Sequence, residues 1–513
     1  MLASILPNPE RPTFGVEVEF LIATLPAGAG AQDMHREHGL PPALRIPLEH
    51  LNFDKGEQYT HERVEKVLDK CFGALPPLPR PTATSISQGV PTTTILDKYR
   101  DWTVKGDGSL SRTANGPYHL IPVEICSPAH YASPAAFKSI ILAILAITSE
   151  FRCEVNLACG VHVHVGLGAE RMSLEHIRRC ASLFYAVEPL LFTLHDPIRK
   201  ANIYCKPLRE HSYLANSDEE KVKLPHSDTS EWVHPGVTFV CDRYMGRDRR
   251  HGEYPMSARE DNTDDTHIDA FLKTRMPGHF EPFTKPGDSK HTEILLSDVS
   301  HELDLRISAA QDAQDAQLPP TMTPPAEPAR KRDTPRVRLP PFDLKRLLES
   351  AWELSHVGAA IPDEFLSRGP GTGVWEATER IYAQPASCHI AEQLSSYERP
   401  AISFMSYLCE RLTASKTEMR TIEFRMADGS LDGEWIATWA KICAGLFTFA
   451  LYASPGDFID VLENCDRAVK EDGVYDVVDL LDEVGLFAEA KYVERRLMEN
   501  GEKWGLEFVE PGA

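Results

Sequence analysis

The sequence predicts an α+β protein, because short strands with one apolar and one charged face occur along the chain together with longer amphipathic helices. In the strands, acidic, histidine and arginine residues occupy every second position, which places them on one face. In the helices, apolar residues recur at helical spacing, as between Ala135 and Arg152. The four charged strands contain Val16–Phe20, Ile121–Ile125, Val161–Val165 and Ile422–Met426.

Each element has its own local signal. Turn residues such as Gly166-Leu167-Gly168 close strands, and Ser173 with Glu175 behind it is typical of a helix N-cap. The predicted extended segments are Phe14–Ala23, Trp102–Lys105, His119–Cys126, Val161–Val165 and Met419–Met426. The predicted helices are His61–Phe72, Ala135–Arg152, Ser173–Leu194, Phe342–Trp352, parts of Ile390–Leu412, Gly433–Ala453 and Val474–Met498.

Composition restricts the partners and the compartment. With 54 Lys and Arg against 76 Asp and Glu, the formal charge is −22, which argues against binding to nucleic acid or to an anionic membrane. The 11 cysteines form no CxxC pair, as expected of reduced thiols. The N-terminus lacks signal-peptide features, and the longest apolar run, Ala440–Tyr452, is too short to cross a bilayer. We therefore expect a cytoplasmic protein without nucleic-acid or membrane partners.

The chain divides into four predicted regions. Residues 1–205 and 342–513 hold the periodic segments and form the two parts of the expected catalytic domain, the second with added C-terminal helices. Residues 206–308 are polar and poorly periodic, as in an insertion or a substrate loop. Residues 309–341 are rich in proline and are expected to be a disordered linker. Their basic patch, Arg330–Arg338, resembles a nuclear-import signal only weakly.

The charged strand faces predict one site. Three pairs stand two residues apart: Glu17 and Glu19, His162 and His164, and Glu423 and Arg425. Taken alone, each pair could be purely structural. Glu17 and Glu19 could be acids on an exposed strand, His162 and His164 a buried histidine pair, and Glu423 and Arg425 an ion pair within a strand. If the strands share a sheet, the charged faces converge, and clustered carboxylates then need a compensating cation. Carboxylates suit Mg²⁺ or Mn²⁺, and imidazole shifts the preference toward Mn²⁺ or Zn²⁺.

Several nucleotide and hydrolase motifs are missing. The sequence contains no GxxxxGK[ST], GxGxxG, GxSxG or HExxH, and Gly369–Gly373 has neither the P-loop spacing nor its lysine. A nucleotide would therefore bind through metal ions and basic side chains rather than through a glycine-rich loop.

Five motifs resemble, in order, those of the putative amidoligase family, within the carboxylate–amine ligase or glutamine synthetase-like superfamily. They are Gly15–Phe20, Asp107–Leu110, Val123–Pro128, Cys159–Gly166 and Thr421–Arg425. Pro197–Cys205 also resembles the family's segment after the histidine strand. The motifs lie within residues 14–205 and 417–450, and we expect a fungal-type member.

The resemblance implies an antiparallel sheet curved into a half-barrel, with helices on its outer face and with ATP and two or three Mg²⁺ or Mn²⁺ ions on the concave side. The implied metal ligands are Glu17, Glu19, Glu124, His162 and Glu423. The implied catalytic residues are Arg425, Glu423 and His164, and the implied nucleotide contacts are Arg425, His162 and Arg199.

The implied activity is ATP-dependent amide formation between a carboxylate and an amine donor, through an acyl phosphate. A phosphotransferase of the same fold with a guanidino acceptor is an alternative, and so is a non-catalytic member that binds a nucleotide or peptide. A zinc hydrolase built on His162 and His164 is disfavoured by the excess of carboxylates. The substrates and the oligomeric state stay open.

Overall fold

The computed structural model describes residues 12–28, 33, 40–73, 99–107, 110, 113–115, 117–168, 172–202, 204–215, 332, 334–339, 372–396, 399–407 and 420–509. The predicted α+β class is confirmed by a large, mainly antiparallel sheet that packs against helices. The strands are β1 (Thr13–Pro26), β2 (Leu44–Ile46), β3 (Thr103–Lys105), β4 (Thr113–Asn115), β5 (Tyr118–Cys126), β6 (His130–Tyr131), β7 (Cys153–Glu154), β8 (Gly160–Gly166), β9 (Arg336–Val337), β10 (Ile402–Ser403), β11 (Thr421–Asp428) and β12 (Phe508–Val509).

The four charged strands lie side by side. The main path of the sheet runs β10-β11-β8-β1-β5-β3, so β11, β8, β1 and β5 are consecutive neighbours, and all of these pairs are antiparallel. The short strands β2, β6 and β7 pair with β1, and β4 pairs with β5. The sheet is open, because the end strands β10 and β3 are not paired with each other within the described residues.

The helices are α1 (Phe53–Phe72), α2 (Pro134–Glu150), α3 (Leu174–Leu191), α4 (Leu208–His211), α5 (Val374–Tyr382), α6 (Ser387–Gln393), α7 (Gly433–Tyr452), α8 (Pro455–Lys470), α9 (Val477–Glu483) and α10 (Phe487–Trp504). Short 3-10 turns cover Leu48–His50, Phe192–Leu194, Pro197–Ala201 and Met405–Tyr407. The predicted N-cap of α3 is confirmed, since the Ser173 hydroxyl accepts a hydrogen bond from the His176 amide at 3.1 Å.

The apolar face of the sheet forms the core with α2, α3 and α7. Val18, Val163 and Phe424 are fully buried there, together with Ile140 of α2 and Trp439 of α7. Strand residues one position away therefore point to the other face, and this alternation displays the charged residues. The face of β1 that carries Glu17 and Glu19 becomes apolar farther along the strand, where Leu21, Ala23 and Leu25 belong to a second, smaller hydrophobic cluster.

Helix α7 is buried rather than membrane-spanning in character. By length and composition it could cross a membrane, which corrects the expectation that no apolar run is long enough. However, 72% of its apolar window is buried inside the fold, as in the core helix of a soluble-type domain. The nine cysteines of the described residues are all free, in line with the expected reduced thiols.

Two predicted region boundaries need correction. Residues 206–215 continue the ordered fold rather than begin an insertion, since Leu208 and Leu214 are buried in the main core. The end of the expected linker also belongs to the fold, because β9 pairs with β12 and Arg332 forms an ion pair with buried Asp476 at 2.7 Å. The rest of residues 216–331 and the predicted helix at 342–352 lie outside the described residues.

The predicted C-terminal helix is wrong as a single element. Helices α9 and α10 are separated at Gly485, whose φ of +80° is a left-handed conformation that favours glycine. Helices α4, α5 and α8 were not predicted. Of the helix expected in parts of Ile390–Leu412, the described residues contain only the end of α6 and the 3-10 turn Met405–Tyr407, with β10 between them. The remaining predicted segments among the described residues appear with boundaries shifted by a few residues, except that α1 begins eight residues earlier than expected, at Phe53.

Candidate functional site

Strand register brings the predicted acidic and histidine residues together. Glu17 is the cross-strand partner of His162, and Glu19 is the partner of Glu124. Glu423 is in turn the partner of His164. Since directly opposed side chains on one face stand close to each other, the register creates a continuous charged surface over four strands. We call it the charged face: Glu17, Glu19, Glu124, His162, His164, Glu423 and Arg425.

Glu19 and Glu124 form the buried end of the charged face, each with 1% of its surface exposed. Glu19 Oε2 accepts a hydrogen bond from the Gly160 amide at 2.7 Å. Its Oε1 has no hydrogen-bond partner among the described residues, and His162 Nε2 lies 3.8 Å from it. A buried carboxylate oxygen without a donor is costly, and a cation would remove that cost.

Gly160 is required at this end of the site. A Cβ there would lie 2.6 Å from Arg199 Nη2 and 3.0 Å from His162 Nε2, so a larger residue would displace one of these buried side chains. Gly15 is less restricted, because a Cβ there would lie at an ordinary 3.6 Å from Ser127 Oγ.

Glu17 and the two histidines form the centre of the charged face. His162 Nδ1 lies 3.4 Å from Glu17 Oε2 and 3.6 Å from Glu423 Oε1. His164 Nε2 lies 3.5 Å from Glu17 Oε1 and 3.9 Å from Glu423 Oε1. The other nitrogen of His164 lies 3.1 Å from Thr421 Oγ1, which orients the ring and leaves Nε2 facing the carboxylates.

Arg425 lies at a break in strand register. Pairing between β11 and β8 shifts between Phe424 and Ala427, and this irregularity contains Arg425. Its guanidinium donates to the Glu423 carboxylate and, through Nε, to the Tyr204 carbonyl at 3.1 Å. The side chain is only 6% exposed, so the guanidinium is held at the rim of the charged face with little freedom.

Three residues at the charged face were not predicted as site residues. Lys105 Nζ lies 2.9 Å from Glu124 Oε1 and 3.5 Å from Glu17 Oε1. Cys126 Sγ lies 3.4 Å from Glu124 Oε1, and Asp107 shares a possible ligand group with Glu19 and Glu124. Lys105 ends the three-residue strand β3 and Asp107 lies in the loop after it, and this stretch is too short for periodicity to assign side chains to a face. The quoted motif Asp107–Leu110 was the available clue.

The electrostatics of the face differ from residue to residue. Burial and the neighbouring Glu17 charge raise the pKa of Glu124 to about 8, with Lys105 only partly offsetting them. Burial also acts on Glu423, but Arg425 and the histidines dominate and lower its pKa to about 2. For Glu17, His164 and His162 outweigh burial and hold the pKa well below its usual value. In turn, Glu17 outweighs burial at His164 and raises the pKa of that imidazole.

Three groups of side chains have ligand atoms close enough to hold a metal ion, within 4.8 Å of one another in each group. The groups are Glu17 with His164 and Glu423, Glu17 with Glu124 and Cys126, and Glu19 with Asp107 and Glu124. Glu17 and Glu124 each belong to two groups, so neighbouring cations could share them. The donors are mostly carboxylate oxygens, which favour Mg²⁺ or Mn²⁺.

Arg199 lies at the edge of this arrangement. It is 2% exposed, and its two terminal nitrogens donate to the Cys159 and Arg425 carbonyls at 3.3 Å and 3.1 Å. In this structure Arg199 holds β8 and β11 together at the buried end of the face. Its expected contact with a nucleotide stays a prediction.

The fold and the charged face define an α+β protein whose central sheet carries carboxylates and imidazoles suited to divalent cations. Residues 10–231 match the model of a family described as putative amidoligase enzyme, which confirms the resemblance read from the motifs. The matched segment includes β1, β5 and β8, whereas Glu423 and Arg425 lie beyond it and join the site through the pairing of β11 with β8. No curated protein and no solved structure was found to match the chain. The fungal-type origin stays a prediction.

Proposed function

We propose that this protein is an ATP- and divalent-metal-dependent carboxylate–amine ligase that forms an amide through an acyl phosphate. The main support for this proposal is that Glu17 and Glu124 each belong to two overlapping groups of possible metal ligands on one face of the sheet, with Arg425 at the rim of that face. The family match names a ligase in general, and this arrangement supports the finer assignment.

The residues present fit a divalent cation. Glu19 Oε1 is buried without a hydrogen-bond donor among the described residues, and the pKa of Glu124 is raised to about 8 by burial and by Glu17. Both features are unfavourable in a carboxylate site that holds no cation. Glu17, Glu19, Asp107, Glu124, His164 and Glu423 would hold the ions, with His162 beside them. Bound Mg²⁺ or Mn²⁺ would screen the triphosphate from the substrate carboxylate and neutralise charge on the transferred group.

The proposed fold is the half-barrel of the glutamine synthetase-like superfamily, with the charged face on its concave side. Support comes from the antiparallel order of the charged strands and from the helices that bury the opposite face. In this arrangement the small apolar cluster around Leu21 would lie beyond the charged residues, farther along β1.

The protein's own residues would act mainly by positioning and by electrostatics. Arg425 would donate to phosphoryl oxygens that gain charge, because Glu423 and Tyr204 already fix the orientation of its fork. His164 would face the metal ion as a neutral imidazole through Nε2, with its other nitrogen beside Thr421 Oγ1 fixing the ring. Glu423 would orient Arg425 and contribute a metal ligand. His162 would lie between Glu17 and Glu19, each of which belongs to a group of possible metal ligands.

The reaction has two displacement steps. First, a substrate carboxylate oxygen attacks the γ-phosphorus of ATP, the bond to the β-phosphate oxygen breaks, and ADP leaves with the electron pair. Second, an amine nitrogen attacks the carbonyl carbon of the acyl phosphate. Inorganic phosphate leaves, the nitrogen loses a proton to water or a nearby base, and the amide remains.

A phosphate-release screen of amino acids, short peptides and polyamines with ATP and Mg²⁺ or Mn²⁺ tests the proposal. The proposal expects phosphate release that needs both a carboxylate and an amine, with an amide product identified by mass spectrometry. ADP with a stable phosphorylated guanidino compound would favour the phosphotransferase instead. Metal and nucleotide binding without turnover of any substrate pair would favour a non-catalytic binding protein.

A further inference from the structure

Lys105 lies between two carboxylates of the charged face. It ends the edge strand β3, and strand register sets it directly opposite Glu124. Its ammonium nitrogen is 2.9 Å from Glu124 Oε1 and 3.5 Å from Glu17 Oε1. Half of the side chain, 51%, is exposed, so the ammonium approaches the buried Glu124 carboxylate from the open side of the site.

The same two carboxylates are the most shared candidate metal ligands. Glu17 and Glu124 occur together in one ligand group, and each occurs in one other. An ammonium within ion-pair distance of these oxygens would repel a divalent cation and compete for the same lone pairs. Metal binding at this position therefore requires Lys105 to move.

Lys105 is able to move, whereas the other cationic side chain at the face is not. Arg425 is 6% exposed and is held by the Glu423 carboxylate and the Tyr204 carbonyl. Lys105 has a flexible aliphatic stem, and within the described residues its ammonium forms ion pairs with Glu124 and Glu17 alone. The backbone of Lys105 is paired with Glu124 in the antiparallel ladder of β3 and β5, so movement would be confined to the side chain.

We propose that Lys105 is a displaceable counter-ion that neutralises Glu17 and Glu124 in the metal-free protein and turns toward the open side of the cleft when a divalent cation binds. The released ammonium then borders the space through which anionic substrates reach the metal. Lys105 is thus a positioning residue that couples metal loading to the charge seen by those substrates. This inference rests on the proposed metal site.

Calorimetric titration with Mn²⁺ alone, without nucleotide, tests the competition. Lys105→Gln removes the competing charge and should bind Mn²⁺ at least about threefold more tightly than the natural protein. Lys105→Arg keeps a cation and should not gain affinity. Lys470→Gln is the matched control, since Lys470 is 63% exposed and pairs at 2.6 Å with Asp466 on α8, away from the charged face. Its Mn²⁺ affinity should be unchanged.

Chemical labelling of the natural protein gives a second readout that no substitution can disturb. Acylation by an amine-reactive reagent, mapped by peptide mass spectrometry, should be faster at Lys105 with Mn²⁺ than without, and unchanged at Lys470. Equal Mn²⁺ affinity or weaker binding by Lys105→Gln, or labelling of Lys105 that does not respond to Mn²⁺, would overturn the inference while leaving the ligase proposal in place. If none of the proteins binds Mn²⁺, the metal site itself is refuted and the inference falls with it.

Discussion

Glu19 and Glu423 stand at opposite ends of the charged face, and a carboxamide can replace each with little change of shape. Glu19→Gln keeps an oxygen that can accept from the Gly160 amide, whereas Glu423→Gln keeps contact with Arg425. Each removes one negative charge from the candidate metal shell. We predict that ATP turnover falls at least about 100-fold in each variant, with little change in thermal unfolding.

The control for this prediction is Glu499→Gln, a change at a surface carboxylate that is 64% exposed and pairs with Arg495. It removes the same charge without touching the site, so turnover should be unchanged. Full activity in both site variants would refute the proposed metal role of these carboxylates.

Arg425 provides a test of geometry at constant charge. Arg425→Lys keeps a cation beside Glu423 but cannot also donate to the Tyr204 carbonyl with the same planar fork. Nucleotide should still bind, while phosphoryl transfer slows by about 10²- to 10³-fold. Single-turnover phosphate release, read beside nucleotide affinity, checks this. An equal loss in both quantities would mean that Arg425 serves binding rather than the transfer step.

At the scale of elements, Glu188 joins α3 to α4. Its two carboxyl oxygens accept hydrogen bonds from the Leu208 and Arg209 amides at 2.7 Å and 3.0 Å, and the residue is 1% exposed. Burial outweighs these bonds and raises the pKa of Glu188 to about 7. The folded state therefore favours the protonated form of Glu188. The stability that comes from this protonation is fully present below about pH 4.5 and is lost as the pH rises through about 7.

Glu188→Gln should remove that pH dependence, because the amide does not ionise. From about pH 5 to pH 8 the natural protein should lose up to about 3 kcal/mol of unfolding free energy relative to the variant. Thermal or denaturant unfolding of both proteins across this range measures the difference. A constant gap between the two curves would show that Glu188 titrates normally.

A second prediction at the scale of elements concerns Arg332, which precedes β9 in the chain. Arg332 forms two bonds to Asp476, which is 1% exposed and also caps α9, so Arg332→Ala would leave a buried carboxylate without its cation. We predict that the free energy of unfolding of Arg332→Ala falls by about 3 kcal/mol. Arg338→Ala breaks only solvent-exposed ion pairs and should change stability little. Similar unfolding curves for the two variants would restore the earlier view of this segment as a plain linker.

For the whole molecule, the sequence predicts the sheet and its charged face well, for a physical reason. A two-residue period assigns every side chain of a strand to one of two faces, so Glu17, Glu19, His162 and His164 could be placed before any contact was known. That the four strands share one sheet did not follow from periodicity. It followed from the assumption that the charged faces converge, and register confirms this for Glu423 beside His164. The order of the strands was not predicted.

Other features depend on contacts that no local pattern contains. Lys105 and Asp107 reach the site from a three-residue strand and its loop, which are too short for a period. Arg332 lies in a proline-rich, basic stretch typical of a linker, yet its partner Asp476 lies 144 residues farther along the chain. The break at Gly485 was also missed, because the apolar spacing continues across the turn between α9 and α10.

The proposed function depends on the binding of divalent cations at the charged face. The most direct test is the anomalous scattering of crystals grown with Mn²⁺ and ATP. We expect manganese peaks on the charged face, one between Glu17, His164 and Glu423 and one between Glu19, Asp107 and Glu124. Peaks only elsewhere, or none in crystals that contain bound nucleotide, would contradict it.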